Sequence, residues 1–325
     1  MLKQRLARWC NLKAVLICSV VVGHLIEPHT DRSELLCALY RGIYLVHMPM
    51  FAFMSGLFLK SAEQCAAQTK RVLPIYMVLQ TAAAVIGGIN FFTPYWHLWY
   101  LLSTVWWCAV GYAWYRFGQG RAAPAILVLS LAIGCAVGYV PFVGRTLSFS
   151  RTVVFFPYFF AGMIFPKEAR RRILMPSVPI WAAVAAVCTA FLWRVPLEFL
   201  YRAEPYKENV DALMRLLCYG VGMAGCLLAV ALVPERRFFF TCVGVDTLPA
   251  YLLQCPLALI FARAELPPAA YFLLAAVFLY AVCSISRLYG SIYAIVGKRG
   301  GKGRWHPFKR YTTAVPPRCT DFFSP

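Results

Sequence analysis

Lys13, His24 and Glu27 stand in a stretch that is otherwise almost wholly apolar, NLKAVLICSVVVGHLIEP, from Asn11 to Pro28. The stretch is about the length that crosses a ~30 Å hydrocarbon core. An ionisable side chain inside such a helix is costly, which makes it a functional-site candidate by default. Lys13 and His24 are three turns apart and project from one helical face. A neutral imidazole is the usual general base near neutral pH. Glu27 lies one turn further outward on the same face, placed to orient the ring or balance its charge. Two plainer readings stay open: His24 as a wet ring at the outer interface, and Glu27 as a solvated loop carboxylate.

A second histidine answers the first. His24 lies ~18 Å along its helix, and His47, in IYLVHMPMFAFMSGLFLK, lies ~14 Å into an antiparallel one. In a ~30 Å core these are nearly the same depth. Two histidines at one level suggest a shared polar cavity; the alternative is that each bonds a backbone carbonyl on a neighbouring helix. On the inner side, Lys13 is joined by Lys70 and Arg71, just before Pro74. These cations form an anion site, either for phospholipid headgroups or for a phosphorylated cofactor. His97 falls among Trp96, Trp99 and Tyr100 at the outer interface, where aromatic belts are expected anyway. Arg151 opens another apolar segment at its outer end. Gln254 ends GVDTLPAYLLQCP, where Asp246 is placed to cap a helix that Pro249 and Pro256 are expected to break; broken membrane helices line buried or wet cavities.

The elements that must position these residues follow from composition. The 325 residues are 61% hydrophobic and 14% charged, with mean hydropathy +0.65. A soluble domain carries roughly a quarter charged residues, and a membrane barrel would alternate. The chain is therefore an all-α, polytopic membrane helix bundle. Its net charge of +19 comes in short clusters between apolar runs, which argues for membrane topology and against nucleic acid as a partner. Lys3, Arg5 and Arg8 before an apolar run also describe a signal peptide, but VVGHLIEPH offers no good cleavage site, so a retained first helix is expected. The 13 cysteines lie mostly in apolar runs as small hydrophobes. They show no metal-ligand spacing, so no metal is expected. GxxxxGK[ST], HExxH, GxSxG and a dinucleotide fingerprint are all missing, which argues against a nucleotide-driven pump or a zinc protease.

Ten spans are expected, at 12–29, 38–59, 73–92, 95–116, 123–141, 151–166, 178–194, 211–233, 244–263 and 268–290. With the N-terminus inside, the inner segments are almost purely basic and the outer ones mixed, which puts both termini in the cytoplasm. The organisation is then a transmembrane domain at 1–294 and a basic, flexible cytoplasmic tail at 295–325 lying against anionic lipid.

The ordered set N-L-K-x10-H (Asn11, Lys13, His24), IYLVHMPMFAFMSGLFLK, KRVLPIY, HLWYLLS, FFPYFFAGMIF and GVDTLPAYLLQCP resembles the membrane acyltransferase-3 family, of the sugar and polysaccharide O-acetyltransferase type. The resemblance covers about residues 8–290, with Ile43 to Lys60 its most specific part, and includes no fused extracellular esterase-like domain. It implies transfer of an acyl group, commonly acetyl from acetyl-CoA, to a hydroxyl of a glycan or glycolipid acceptor, by a multi-pass protein of the bacterial inner membrane in contact with membrane lipids. It makes His24 the catalytic histidine, and Lys13, Lys70 and Arg71 the cations for the acyl-CoA phosphates. His47 or Tyr44 is then a donor to the oxyanion, while Glu27, His97, Arg151 and Gln254 are positioning candidates. Three positions depart from the family pattern: Lys13 stands where many members carry Arg, Ala67 interrupts an R-x-x-x-R motif, and Gln254 replaces a common His. A transporter or flippase using the paired histidines as a polar path is the alternative function.

Overall fold

The computed structural model describes the backbone of residues 2–118, 122–166, 174–193, 195–207 and 211–299, and side chains between 7 and 286. The expected flexible tail beyond 299, and the inner-side cations Arg121, Lys167 and Arg170 to Arg172, lie outside the described residues. No strand occurs among the described residues. The long helices are α1 (Leu2–Ile26), α2 (Glu34–Phe58), α3 (Ala62–Gly87), α4 (Trp99–Phe117), α5 (Ala123–Ala136), α6 (Phe149–Ile164), α7 (Val178–Leu192), α9 (Ala212–Leu232), α10 (Leu248–Phe261) and α11 (Pro268–Arg299), with a single-turn α8 (Leu197–Leu200). Among the described residues, six segments are long and apolar enough to cross a membrane: Ala7–His29, Glu34–Phe58, Thr146–Ile164, Met175–Leu192, Ala212–Leu232 and Pro268–Ser286. Ala123–Tyr139 and Leu248–Phe261 are apolar but shorter. The chain is a helical, multi-pass membrane protein.

Local chemistry sets boundaries that apolar length alone misplaces. The third span, expected from residue 73, is preceded by eleven helical residues, because Ser61 caps α3 by accepting from the Gln64 amide at 3.2 Å. Gly88 then ends α3 in the left-handed region at φ 64, where glycine has no Cβ penalty. The fourth span begins later than expected. Residues 91–95 form a loop folded around buried Gln80, whose amide donates to the Phe91 and Thr93 carbonyls at 3.0 and 2.9 Å and accepts from the Tyr95 amide at 2.9 Å. Pro249 sits in the first turn of α10, where a missing N–H costs nothing. Pro256 does not break α10, contrary to expectation; the helix continues through it to Phe261.

The chain divides into two compact units. The first comprises Met1–Tyr40 and Val233–Pro325. In it α1 packs against α10 and α11, burying Ile17, Val21, Leu25 and Ile26. Arg8 pairs with Glu235 at 3.4 Å near one end of α1, and Arg32 with Glu265 at 2.5 Å beyond the other.

The second unit is Arg41–Leu232. Its centre is aromatic: Trp99 stacks on Phe155 and Trp107 on Phe159, joining α4 to α6. Helices α2 and α6 meet backbone to backbone. A Cβ on Gly56 would collide with the Phe159 carbonyl, and one on Gly162 with the Phe53 carbonyl. Small residues let membrane helices approach this closely. Helix α7 buries only 6% of its apolar window and leaves Ile180, Val187 and Phe191 exposed, a surface suited to lipid.

Candidate functional site

In the first unit, the start of α1 is held by polar contacts to one segment. Asn11 is 1% exposed. Its amide donates to the Pro234 and Arg236 carbonyls at 3.0 and 2.8 Å, and its oxygen accepts from the Thr241 hydroxyl at 2.5 Å. One turn on, Gly244 lies so close to α1 that a Cβ there would meet the Cys10 carbonyl. The Lys13 ammonium lies 3.4 Å from the Val245 carbonyl and is half-buried. The N-L-K triplet therefore both fixes α1 and leaves a cation partly accessible beside that segment.

His24 is buried in the same helix. Its Nδ1 stands 4.0 Å from a Glu27 carboxylate oxygen. That is ion-pair range, longer than a hydrogen bond. Helix α1 stops at Ile26, and Glu27 begins a short 3-10 turn with Pro28 at its start. The change of helix type is what carries the carboxylate back toward the ring. The burial of His24 and the half-burial of Glu27 count against a fully wet interface ring. Gln254, on α10, is buried, and among the described residues neither of its amide atoms has a hydrogen-bond partner. It stands nine residues after Val245, as His24 stands eleven after Lys13, on two helices that pack together.

The second unit holds His47, Tyr44, His97, Arg151, Lys70 and Arg71. His47 is buried, and its Nδ1 lies 2.6 Å from the Ile43 carbonyl one turn earlier. It bonds a backbone carbonyl, as the plainer reading held, but on its own helix. That bond fixes the Nδ1 proton and leaves Nε2 as the other ring atom. Tyr44 meets the His47 ring edge-on at 4.8 Å and Tyr201 at 5.6 Å. Arg151 donates to the Tyr201 carbonyl at 3.1 Å and lies over the Trp99 ring at 4.9 Å. Tyr44, His47 and Arg151 are thus gathered around Tyr201. His97 is buried in the 3-10 turn before α4. Lys70 and Arg71 are exposed on α3.

Several residues whose roles were not assigned from the sequence prove structurally prominent. Lys60 donates to the Gly162, Met163 and Phe165 carbonyls at 2.9, 2.6 and 3.0 Å, so this inner-side cation caps the end of α6. His29 is 2% exposed and stacks on Tyr271. Arg202 and Arg215 are each 1% exposed. The signal for Arg215 was present: it is an arginine inside an apolar span, the same anomaly that marked His24.

With this geometry in view, comparison with known proteins identifies a family. The acyltransferase-3 family model, described as an acyltransferase domain, matches residues 9–288. No curated protein and no solved structure matches the chain.

Proposed function

From the premise that this chain belongs to the acyltransferase-3 family and is an acyltransferase, we propose that it is a membrane O-acetyltransferase with His24 as general base. The acyl donor is acetyl-CoA, and the acceptor is a hydroxyl of a glycan or lipid-linked saccharide. The observation that carries the assignment is the placement of His24: buried on α1, with the Glu27 carboxylate 4.0 Å from Nδ1 and Lys13 three turns earlier on the same helix.

In this mechanism Nε2 of His24 takes the proton of the acceptor hydroxyl as its oxygen attacks the thioester carbonyl carbon. Glu27 steadies the imidazolium that forms. The tetrahedral centre collapses, the carbon–sulfur bond breaks, and the CoA thiolate recovers the proton from His24. The products are the acetyl ester and free CoA. Lys13 offers a positive charge to CoA phosphate, as a point charge and without the fork of an arginine. Lys70 and Arg71, exposed on α3, carry the same assignment within their own unit. Gln254 is a positioning candidate in the first unit. In the second, Tyr44 offers a hydroxyl donor and His97 a positioning ring, while His47, whose proton faces the Ile43 carbonyl, presents Nε2 as an acceptor and not as an oxyanion donor.

The proposal also includes ten spans with both termini in the cytoplasm of a bacterial inner membrane. Supporting this, the ion pairs link segments assigned to the same side: Arg8 with Glu235 inside, and Arg32 with Glu265 and Arg145 with Glu204 outside. The test is His24→Ala at matched membrane expression, with acceptor acetylation followed by mass. General base catalysis is worth roughly 10²–10⁴-fold, so activity should fall by that much. Retained activity overturns the assignment.

A further inference from the structure

Among the described residues, Arg202 and Arg215 are the most buried cations in the Arg41–Leu232 unit, each 1% exposed. Among the described residues neither pairs with a carboxylate. Glu204 is taken by Arg145 at 2.5 Å, and Asp211 turns its carboxylate to the Met214 amide at 3.1 Å. Among the described residues, both terminal nitrogens of Arg202, and Nε and one terminal nitrogen of Arg215, have no hydrogen-bond acceptor. The guanidinium groups rest on aromatic faces instead: Arg202 over Phe155 at 4.8 Å, Arg215 over Phe199 at 5.1 Å and Tyr206 at 5.2 Å. The two arginines meet around Phe199: Arg202 donates its amide to the Phe199 carbonyl at 3.2 Å, and Arg215 covers the Phe199 ring.

Cation–π contact stabilises a desolvated pair only in part. Burying an uncompensated charge costs more than that for each ion. Two like charges held together raise that cost further, so the aromatic faces do not offset it. The backbone shows the same commitment. Arg202 sits in the left-handed region at φ 54, which favours glycine or asparagine, and is held there by its amide on the Phe199 carbonyl and its own carbonyl on the Ser150 hydroxyl. A strained arginine whose donors are unused fits a bound oxyanion, which both guanidinium forks recognise.

We propose that Arg202 and Arg215 form a binding site for the phosphate or carboxylate of an acidic saccharide acceptor. The assignment to an acceptor rests on the acyltransferase reading; the binding of an anion does not. Arg202 lies on the segment between α8 and α9, which reaches the surface at Lys207. By the expected topology this segment is on the outer side, away from the cytoplasmic supply of CoA.

The test uses the full-length protein in phosphatidylcholine nanodiscs, titrated calorimetrically with methyl glucuronide, glucose 1-phosphate and the uncharged methyl glucoside. Wild type should bind at least one acidic probe more tightly than methyl glucoside by about tenfold or more, and sodium chloride should weaken only the acidic probe. Arg202→Gln and Arg215→Gln should each remove this preference, while Arg202→Lys and Arg215→Lys keep part of it. Should the glutamine variants fail to fold, the salt dependence in wild type and the lysine variants decide. Equal binding of acidic and neutral sugars to wild type overturns the proposal. So does a glutamine variant that folds and keeps the preference. Displacement of the acidic sugar by phosphatidylglycerol in the nanodisc would assign the site to lipid headgroups, and loss of desulfo-CoA binding in the glutamine variants would assign it to the donor; either result overturns the acceptor assignment. No outcome depends on acyl transfer, so failure here and failure of the His24 assignment are separable.

Discussion

The Nδ1 of His24 and a carboxylate oxygen of Glu27 stand 4.0 Å apart across the change from α1 to a 3-10 turn. At that separation the carboxylate acts on the ring by charge more than by a hydrogen bond. Its benefit is therefore greatest when the ring becomes imidazolium, which in the proposed mechanism is in and after the transition state.

Glu27→Gln should accordingly lower kcat by roughly tenfold, about 1.4 kcal/mol of barrier, and leave KM for acetyl-CoA nearly unchanged. Steady-state kinetics in nanodiscs separates the two. A change confined to KM would place Glu27 in donor binding instead.

Lys13→Ala should raise KM for acetyl-CoA, with a smaller effect on kcat, because it removes binding common to ground and transition states. Lys13→Arg keeps the charge and adds a fork, so its KM should stay at or below the wild-type value. Because Lys13 also reaches Val245, melting temperatures of both variants should be compared to separate loss of the cation from loss of that contact.

Lys60→Met leaves the Gly162, Met163 and Phe165 carbonyls without their common donor. Bonds to a charged group contribute about 1.5–3 kcal/mol each, and they are not additive. The expected loss is at least about 2 kcal/mol, read as a lower midpoint in thermal unfolding. Lys60→Arg should recover part of it.

Asn11→Leu removes two donated bonds and one accepted bond and puts a larger, branched apolar side chain in their place. Hydrogen exchange should quicken over residues 234–245 before it quickens elsewhere. Exchange that changed only within α1 would mean that Asn11 does not hold this segment.

Much of this architecture was legible in the residues because the bilayer makes apolar length a nearly sufficient signal. Every expected span coincides with a helix, although only six segments meet length and apolarity together. What length misses is polar and local. Ser61 starts α3 inside what looked like a loop, and Gln80 shapes residues 91–95 from a position that sequence spacing does not mark. On the site, His24 and Glu27 are neighbours because helical spacing is a sequence property. The gathering of Tyr44, His47 and Arg151 around Tyr201 depends on long-range packing. Lys60 and Lys70 are both inner-side cations by sequence, yet one caps a helix and the other is exposed. Only the fold distinguishes them.

The crossing of Gly56 and Gly162 has a mechanical consequence. Each glycine seats its Cα against the other helix's carbonyl, so α2 and α6 are joined where no side chain can act as a cushion. Sliding α2 by about one turn, ~5.4 Å, would bring Ala52, four residues earlier on the same face, against a carbonyl that only a hydrogen-sized group can face. The two helices are a locked pair in shear, and Lys60, anchored two residues beyond α2, ties its end to the C-terminus of α6. Motion during turnover, within this unit, therefore belongs to the helices packed around the pair. The pair itself is the fixed frame against which they move.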